Sequence, residues 1–429
     1  MIAVGAAVQP LDIPSPVAMS GFAARTAPSR GQHDPLDARA LALDQVVLIT
    51  LDVCALEEST CAAIAQQVRP SAPEQVIVTA THTHSGPCSS PHRLTRCDAR
   101  TERLLVDAAV AAGTAARAAR RPCGVRYREA RRVGVAKNRR HPEAAVDPPV
   151  QTLQFLAEPG SGREGAVVAT LLTYPCHPVV LDATNLLLSA DYVHPLRARI
   201  ESGHPGSVAL FATGCAGDLN TGHRAEHSFS LQGSTARSFD EAERVGTRIA
   251  EAALAGRPVP GGAGGSTGSE VALISSAVTL PIARPGAEQI AADTAAWTRE
   301  LGAAAPGRAA LLGRWLEWAA AVPEGAEWTG RVSAFRAGGV IVVTLPGEPF
   351  LAVAERLRAR VAAEAGGPCL VLGYADGCPG YFPTAQEHRR GGYEVEDAHR
   401  YYGMPGPFAE GAAEMLIDRA AEVCRRLGR

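Results

Sequence analysis

The sequence predicts an α/β protein, or an α+β one, in which helices flank a large mixed β-sheet. Two observations lead to this prediction. Short apolar runs typical of buried strands alternate with longer Ala- and Leu-rich stretches typical of helices. Residues 46–80 also show the order strand, helix, strand, which is the order of a βαβ unit.

The individual elements follow from the same patterns. The βαβ unit comprises a strand at 46–51, a helix at 55–68 and a strand at 76–80. Further strands are expected at 150–156, 166–174, 208–212, 271–280, 340–345 and 369–373, and further helices at 102–119, 239–254, 286–303, 307–320, 350–365 and 408–427. Periodicity leaves the strand order open.

A glycine-rich stretch at 258–268 interrupts this alternation and has the composition of a linker. Candidate site residues lie on both sides of it, however, so we predict an internal loop within one domain covering 1–429. The stretch lacks the Lys-Ser/Thr ending of a phosphate loop and the strand-to-helix setting of a dinucleotide site. No nucleotide cofactor is therefore predicted.

Composition restricts the classes of partner. The net charge is −2 and the arginines are spread along the chain, so neither nucleic acid nor an anionic membrane is expected as a partner. No run reaches the roughly 18 apolar residues of a membrane span, and the N-terminus lacks the basic and apolar regions of a signal peptide. We expect a cytoplasmic protein with reduced cysteines; its oligomeric state has no signal in the sequence.

Polar residues follow five of the predicted strands. In open α/β sheets, ligand sites form beyond the carboxyl ends of the strands, so distant residues can meet there. The residues in question are Asp52, His82, His177, Asp218 and Glu348. This set, with a nearby tyrosine, suits Zn²⁺ in a catalytic site that leaves one position open for water.

Two imidazoles two residues apart occur in Thr81-His-Thr-His-Ser-Gly-Pro87. If the chain stays extended across Thr83, His82 and His84 project to the same side. One imidazole can then bind a metal while the other contacts whatever the metal binds.

Several motifs, in order along nearly the whole chain, resemble the catalytic domain of neutral (non-lysosomal) ceramidases. They are Met19–Phe22, Ala38–Ala40, Thr81–Pro87, Asn138-Arg139, Cys176–Pro178, Gly217-Asp218, Pro346–Glu348, Gly380-Tyr381 and Tyr393-Glu394. The resemblance implies a ceramidase-like amide hydrolase whose zinc ligands are His82, His177, Glu348 and Tyr381. It also implies that His84, Arg139 and Tyr393 face the substrate, and that the chain is a short homologue without the family's C-terminal immunoglobulin-like domain.

One position departs from the family pattern. The serine to which the family assigns a catalytic role is Asn220 here, and an amide cannot act as a nucleophile. We therefore predict attack by zinc-activated water, with Asn220 kept at the site as a hydrogen-bonding residue or only capping a turn. The expected substrate is a small soluble N-acyl amine rather than ceramide.

The remaining roles are assigned from chemistry. His84 is expected to pass a proton to the leaving amine, and Arg139 or Tyr393 to stabilise the carbonyl oxygen. Asp52 and Asp218 are expected to accept the free N–H of a metal-binding imidazole.

Alternatives remain open at this point. They are a zinc hydrolase acting on an ester, a lactone or a phosphoester, and a metal-binding protein without catalysis. Arg139 could instead belong to a solvated basic turn. His33 and Asp191 have no assigned role.

Overall fold

The structure is a computed structural model that describes residues 1–427 apart from 91, 94–96, 159–163, 225–229 and 260–270. Most of the glycine-rich stretch at 258–268 therefore lies outside the described residues. In chain order the strands are β1 (Ile2–Pro10), β2 (Gly31–Gln32), β3 (Asp37–Leu43), β4 (Val46–Leu51), β5 (Val76–Ala80), β6 (Arg121–Ala130), β7 (Lys137–Asn138), β8 (Val150–Ala157), β9 (Val167–Tyr174), β10 (Leu187–Leu188), β11 (Val208–Thr213), β12 (Leu219–Asn220), β13 (Arg257–Pro258), β14 (Ile274–Pro281), β15 (Glu327–Ala337), β16 (Val340–Thr344), β17 (Glu348–Pro349), β18 (Cys369–Leu372) and β19 (Tyr381–Phe382).

The helices alternate with these strands. They are α1 (Glu58–Val68), α2 (Ala99–Ala118), α3 (Val193–Gly203), α4 (Phe239–Leu254), α5 (Ala287–Leu301), α6 (Pro306–Ala320), α7 (Leu351–Glu364), α8 (Ala385–His388), α9 (Tyr393–Glu396), α10 (Ala398–Tyr401) and α11 (Ala412–Arg426). No helix in the described part of the chain is long and apolar enough to span a bilayer.

The large sheet is mixed, which confirms the predicted fold class. Its order is β11-β9-β8-β6-β1-β3-β4-β5, and β13 also pairs with β6. The predicted βαβ unit is present, because β4 and β5 are parallel and α1 connects them. The pair β9 and β11 is parallel as well, whereas the strands between these two edges are antiparallel.

A smaller four-stranded sheet, of order β14-β15-β16-β18, lies face to face with the large one. Alternate side chains of β4 and β16, namely Val46, Leu48, Val340 and Val342, belong to one shared apolar cluster. The intervening side chains point away from it, toward α1 and α2 on one side and α7 and α11 on the other. The layers are therefore helix, sheet, sheet, helix. Described residues before and after the glycine-rich stretch share the same hydrophobic clusters.

The predicted elements are present with small shifts at their ends, but four long strands were not predicted. These are β1, β3, β6 and β15, whose sequences are rich in Ala, Gly or Arg. Those residue types have little intrinsic preference for strands, so here the pairing with neighbouring strands decides the conformation. The missed strand β1 lies in the middle of the large sheet, between β3 and β6.

Candidate metal centre

Three side chains from three distant parts of the chain meet at one buried point. The Oε2 atom of Glu348 lies 2.9 Å from Nε2 of His177 and 3.3 Å from Nε2 of His82. All three side chains are almost completely inaccessible to solvent. Two atoms bound tetrahedrally to Zn²⁺ at about 2.05 Å lie about 3.3 Å apart, so these separations fit a shared metal ion.

The ends of the strands place these residues. His82 follows β5 and His177 follows β9, both in the large sheet, whereas Glu348 follows β16 of the small sheet. Glu348 then forms the short parallel pair β17 and β19, in which it stands opposite Tyr381. Neighbouring strands are about 4.8 Å apart, so this pairing brings the tyrosine next to the carboxylate.

Backbone carbonyls orient the two imidazoles. Nδ1 of His82 donates to the carbonyl oxygen of Cys54 at 2.6 Å, and Nδ1 of His177 contacts those of Ala216 and Leu219 at 2.8 and 3.0 Å. A carbonyl can only accept, so Nδ1 of each ring carries a proton and Nε2 is the nitrogen that faces Glu348. This is the tautomer that a metal ligand requires.

The structure contradicts the roles predicted for Asp52 and Asp218. Asp52 accepts two hydrogen bonds, of 2.9 and 2.7 Å, from the guanidinium of Arg197 on α3. Asp218 accepts from Asn138 Nδ2 at 2.9 Å and from the N–H of Leu351 at 2.8 Å, which caps the start of α7. A buried guanidinium and a helix N-terminus each require an acceptor, and these two carboxylates supply it.

Replacing Asp52 with asparagine is therefore expected to lower the free energy of unfolding by about 3 kcal/mol or more, because it leaves the Arg197 charge buried and poorly paired. Urea unfolding measures this loss. The control Glu241→Gln, in the exposed pair with Arg244, should change stability by less than about 0.5 kcal/mol. Lost metal affinity with unchanged stability would instead restore the imidazole-orienting role.

The side-chain hydrogen bonds of Asn220 go to the backbone of its own loop. Its Oδ1 accepts from the N–H groups of Gly222 and His223 at 2.8 and 2.9 Å, and its Nδ2 donates to the carbonyl oxygen of His223 at 2.5 Å. These contacts are those of a turn cap, the second of the two roles expected for Asn220.

His84 lies beside the metal-ligand candidates. Although the backbone is not extended as expected, since His82 has φ of +66°, the two rings still meet with their Nε2 atoms 3.3 Å apart. Nδ1 of His84 is buried and has no hydrogen-bond partner among the described residues. The edge of the Phe22 ring packs against His84, and a Cβ on Gly21, whose φ is +103°, would stand 2.5 Å from its Cγ. Only glycine fits there.

Arg139 and Tyr393 both lie next to Tyr381. Arg139 donates to the Tyr381 hydroxyl at 3.1 Å and to Glu394 at 2.8 Å, and its side chain is 6% exposed. It is therefore not part of a solvated turn. The ring centroids of Tyr381 and Tyr393 are 6.1 Å apart.

Two tyrosines at this site were not singled out in the sequence. The Tyr374 hydroxyl lies 3.4 Å from Glu348 Oε2, and the Tyr402 hydroxyl makes a short hydrogen bond to Glu348 Oε1. Tyr374 comes shortly after β18, so the rule that located the other residues could have found it. Tyr402 follows the one-turn helix α10 and had no such signal.

At the centre, the negative charge of Glu348 is paired with a positive charge on His82. Burial, with Arg139 nearby, lowers the pKa of His177 to about 4, and burial beside His82 and His177 holds the pKa of His84 well below its usual value. Burial opposes ionisation of Glu348, but His82 and His177 hold its pKa well below the ordinary range. Burial also disfavours charge on His82, yet Glu348 and Cys54 raise its pKa to about 10. The positive charge of His82 therefore balances the charge of Glu348, as a bound cation would.

Together, the fold and the site define a helix–sheet–sheet–helix α/β protein with a buried His-His-Glu cluster fit for a divalent metal. Two solved structures have this fold. The crystal structure of neutral ceramidase from Pseudomonas aeruginosa matches with a TM-score of 0.73, at 19% sequence identity, over 99% of this chain and 75% of that chain. A structure of a ceramidase complexed with C2 matches with a TM-score of 0.72, at 18% identity, over the same shares. The neutral-ceramidase fold implied by the resemblance is confirmed. The chain matches no protein-family model and no curated protein.

Proposed function

We propose that this protein is a zinc-dependent hydrolase that cleaves the amide C–N bond of a small N-acyl amine. The observation that carries the proposal is the pair of imidazoles that turn Nε2 toward the Glu348 carboxylate while carbonyls hold Nδ1. Metal binding requires that orientation, because one ring nitrogen must face the ion while the other donates its proton to a fixed acceptor.

Four side chains would hold the metal: His82, His177, Glu348 and Tyr381. Arg139 donates to the Tyr381 oxygen, which orients the phenol and offsets the negative charge that a ligating oxygen carries. Bound Zn²⁺ supplies a Lewis acid that polarises a carbonyl and lowers the pKa of water.

The residues around the ligands supply the other functions that amide hydrolysis needs. His84 presents a buried, unpartnered Nδ1, which can pass a proton to the leaving amine. Arg139 is held by Glu394 and by the Gly217 carbonyl, so its guanidinium is fixed before the substrate arrives. A fixed donor of this kind stabilises negative charge that develops on the carbonyl oxygen. Since Asn220 is not a nucleophile, the attacking group is water.

The test combines metal analysis with a panel of substrates. The purified protein is expected to hold about one zinc per chain, to lose hydrolysis on chelation and to regain it when zinc is restored. Small N-acyl amines should be turned over faster than matched esters or aryl phosphates. Turnover of phosphates alone would refute the amidase assignment, and a metal-loaded protein inert toward the whole panel would identify a non-catalytic metal-binding protein.

A further inference from the structure

A cavity of about 470 Å³ is lined by Arg139, the residue that also donates to the Tyr381 hydroxyl. We refer to it as the arginine cavity. Its charged and ionisable lining residues are Arg139, Arg140, His141, Arg224, Arg390 and Glu394. Four guanidinium groups thus face one carboxylate, in a chain whose net charge is −2.

The carboxylates near the cavity already accept hydrogen bonds from two of these arginines, Arg139 and Arg140. Glu394 accepts from Arg139 Nε at 2.8 Å through one oxygen and from Arg140 NH1 at 2.7 Å through the other. Glu387, behind the wall, accepts from Arg140 Nε at 2.9 Å and lies 2.9 Å from His141 Nε2. Arg139 and Arg140 are therefore neutralised, and both acids are occupied.

Arg390 and Arg224 remain in excess. Arg390 contacts His141 Nδ1 at 2.6 Å, and the carboxylate that it approaches, Glu387, is 4.0 Å from its Nε. Among the described residues, Arg224 takes part in no hydrogen bond or ion pair. Uncompensated cations around a concave surface attract and hold anions, and the planar guanidinium matches a carboxylate or phosphate with two parallel hydrogen bonds.

The backbone keeps the cavity open. Gly391 and Gly392 line it with φ of +59° and +93°, a region that other residues rarely adopt. A Cβ on Gly392 would stand 3.2 Å from NH1 of Arg140. Among the described residues, Pro142 and the Tyr393 ring are the apolar groups that line the cavity, which favours a polar ligand over an alkyl chain.

We propose that the arginine cavity binds an anionic group of the substrate, a carboxylate or a phosphate, close to the scissile amide. The proposal rests on the proposed amidase function for the identity of the bond cleaved. Arg139 makes the connection, because the residue that lines the cavity also donates to the Tyr381 hydroxyl at 3.1 Å. The substrate class is therefore an N-acyl amine that carries an acid near its nitrogen, of which an N-acyl amino acid is the simplest example.

The test compares matched substrates in the full-length, zinc-loaded protein. N-acyl amino acids are paired with their carboxamides and with N-acyl aminoalkyl phosphates, and the ratio of kcat/KM for acid over carboxamide is measured. Arg390→Gln should lower this ratio about 10- to 100-fold, mainly through KM. Arg389→Gln, which removes an adjacent exposed arginine outside the cavity, should leave it unchanged. Whichever substrate has the higher kcat/KM, the one with a carboxylate or the one with a phosphate, shows which anionic group the cavity binds.

A binding measurement separates this proposal from the proposed function. Titration calorimetry with succinate and with inorganic phosphate should show binding to the wild type and to Arg389→Gln, weakened about tenfold or more in Arg390→Gln. Anion binding of this kind without hydrolysis would overturn the amidase function and keep the anion site. Hydrolysis with no preference for the acid, and equal anion binding by all three proteins, would overturn the anion site and keep the amidase function.

Discussion

Replacing His177 with alanine is expected to abolish both zinc binding and hydrolysis. The substitution removes the Nε2 that lies 2.9 Å from Glu348 Oε2, together with the Nδ1 that is held by the carbonyls of Ala216 and Leu219. Removing even a residue that supports a metal ligand costs about 10- to 100-fold in affinity, so loss of a ligand should exceed 100-fold. Metal content after dialysis and kcat/KM for the best amide substrate measure the two effects.

A second histidine serves as the matched control for this variant. His204, at the end of α3, contacts Gln154 and lies outside the metal-ligand set, so His204→Ala should keep the full metal content. Circular dichroism establishes that both variants fold. A folded His177→Ala protein that hydrolyses amides at the wild-type rate without metal would contradict the proposed mechanism.

Replacing His84 with alanine is expected to separate catalysis from metal binding. Its Nδ1 has no hydrogen-bond partner in the described part of the chain, so this nitrogen is free to transfer a proton. The nitrogens of His82 and His177 are already engaged by carbonyl oxygens or by Glu348. General acid–base catalysis contributes about 10²- to 10⁴-fold, and kcat should fall by that factor while the zinc content stays at the wild-type level. Rapid-mixing or initial-rate kinetics with parallel metal analysis tests this.

The geometry also specifies what the opposite result would mean. Atoms of Cys54, His82 and His84 lie within 4.8 Å of one another, as do those of His82, His177 and Glu348. If His84→Ala loses its metal together with its activity, the ion uses the first of these sets, and His84 is a ligand rather than a proton carrier. His84→Gln, which keeps a polar group in the same space, indicates whether packing against Phe22 causes the loss.

Sequence reasoning pointed to this cluster because three of its residues follow strands that are mostly apolar and are buried along their whole length. The strands before His82, His177 and Glu348 are covered on both faces, so their composition alone identifies them. The same rule placed Asp52 and Asp218 at the correct edge but with the wrong partners. Those partners, Arg197 and the N-terminus of α7, are fixed by how helices pack on the sheets, which a single sequence does not reveal.

Other parts of the fold had no local signal. β3 consists largely of Ala and Leu, which favour helices, and becomes a strand only because β1 and β4 flank it. Tyr402, which contacts Glu348, follows a one-turn helix that is too short to show a helical pattern of apolar residues. The motifs predicted the shared fold although only 19% of residues are identical to the ceramidase from Pseudomonas aeruginosa.

The distribution of the ligand candidates along the chain has a consequence for how the protein matures. Positions 82 and 381 are 299 residues apart, and the residues between them build parts of both sheets. Contacts of such long range form late, because closing a long loop costs chain entropy that other native contacts must first offset. In refolding, zinc uptake should therefore be among the last events to occur. Under the proposed function, bound zinc would report completed assembly, because partly folded or truncated chains would not acquire it.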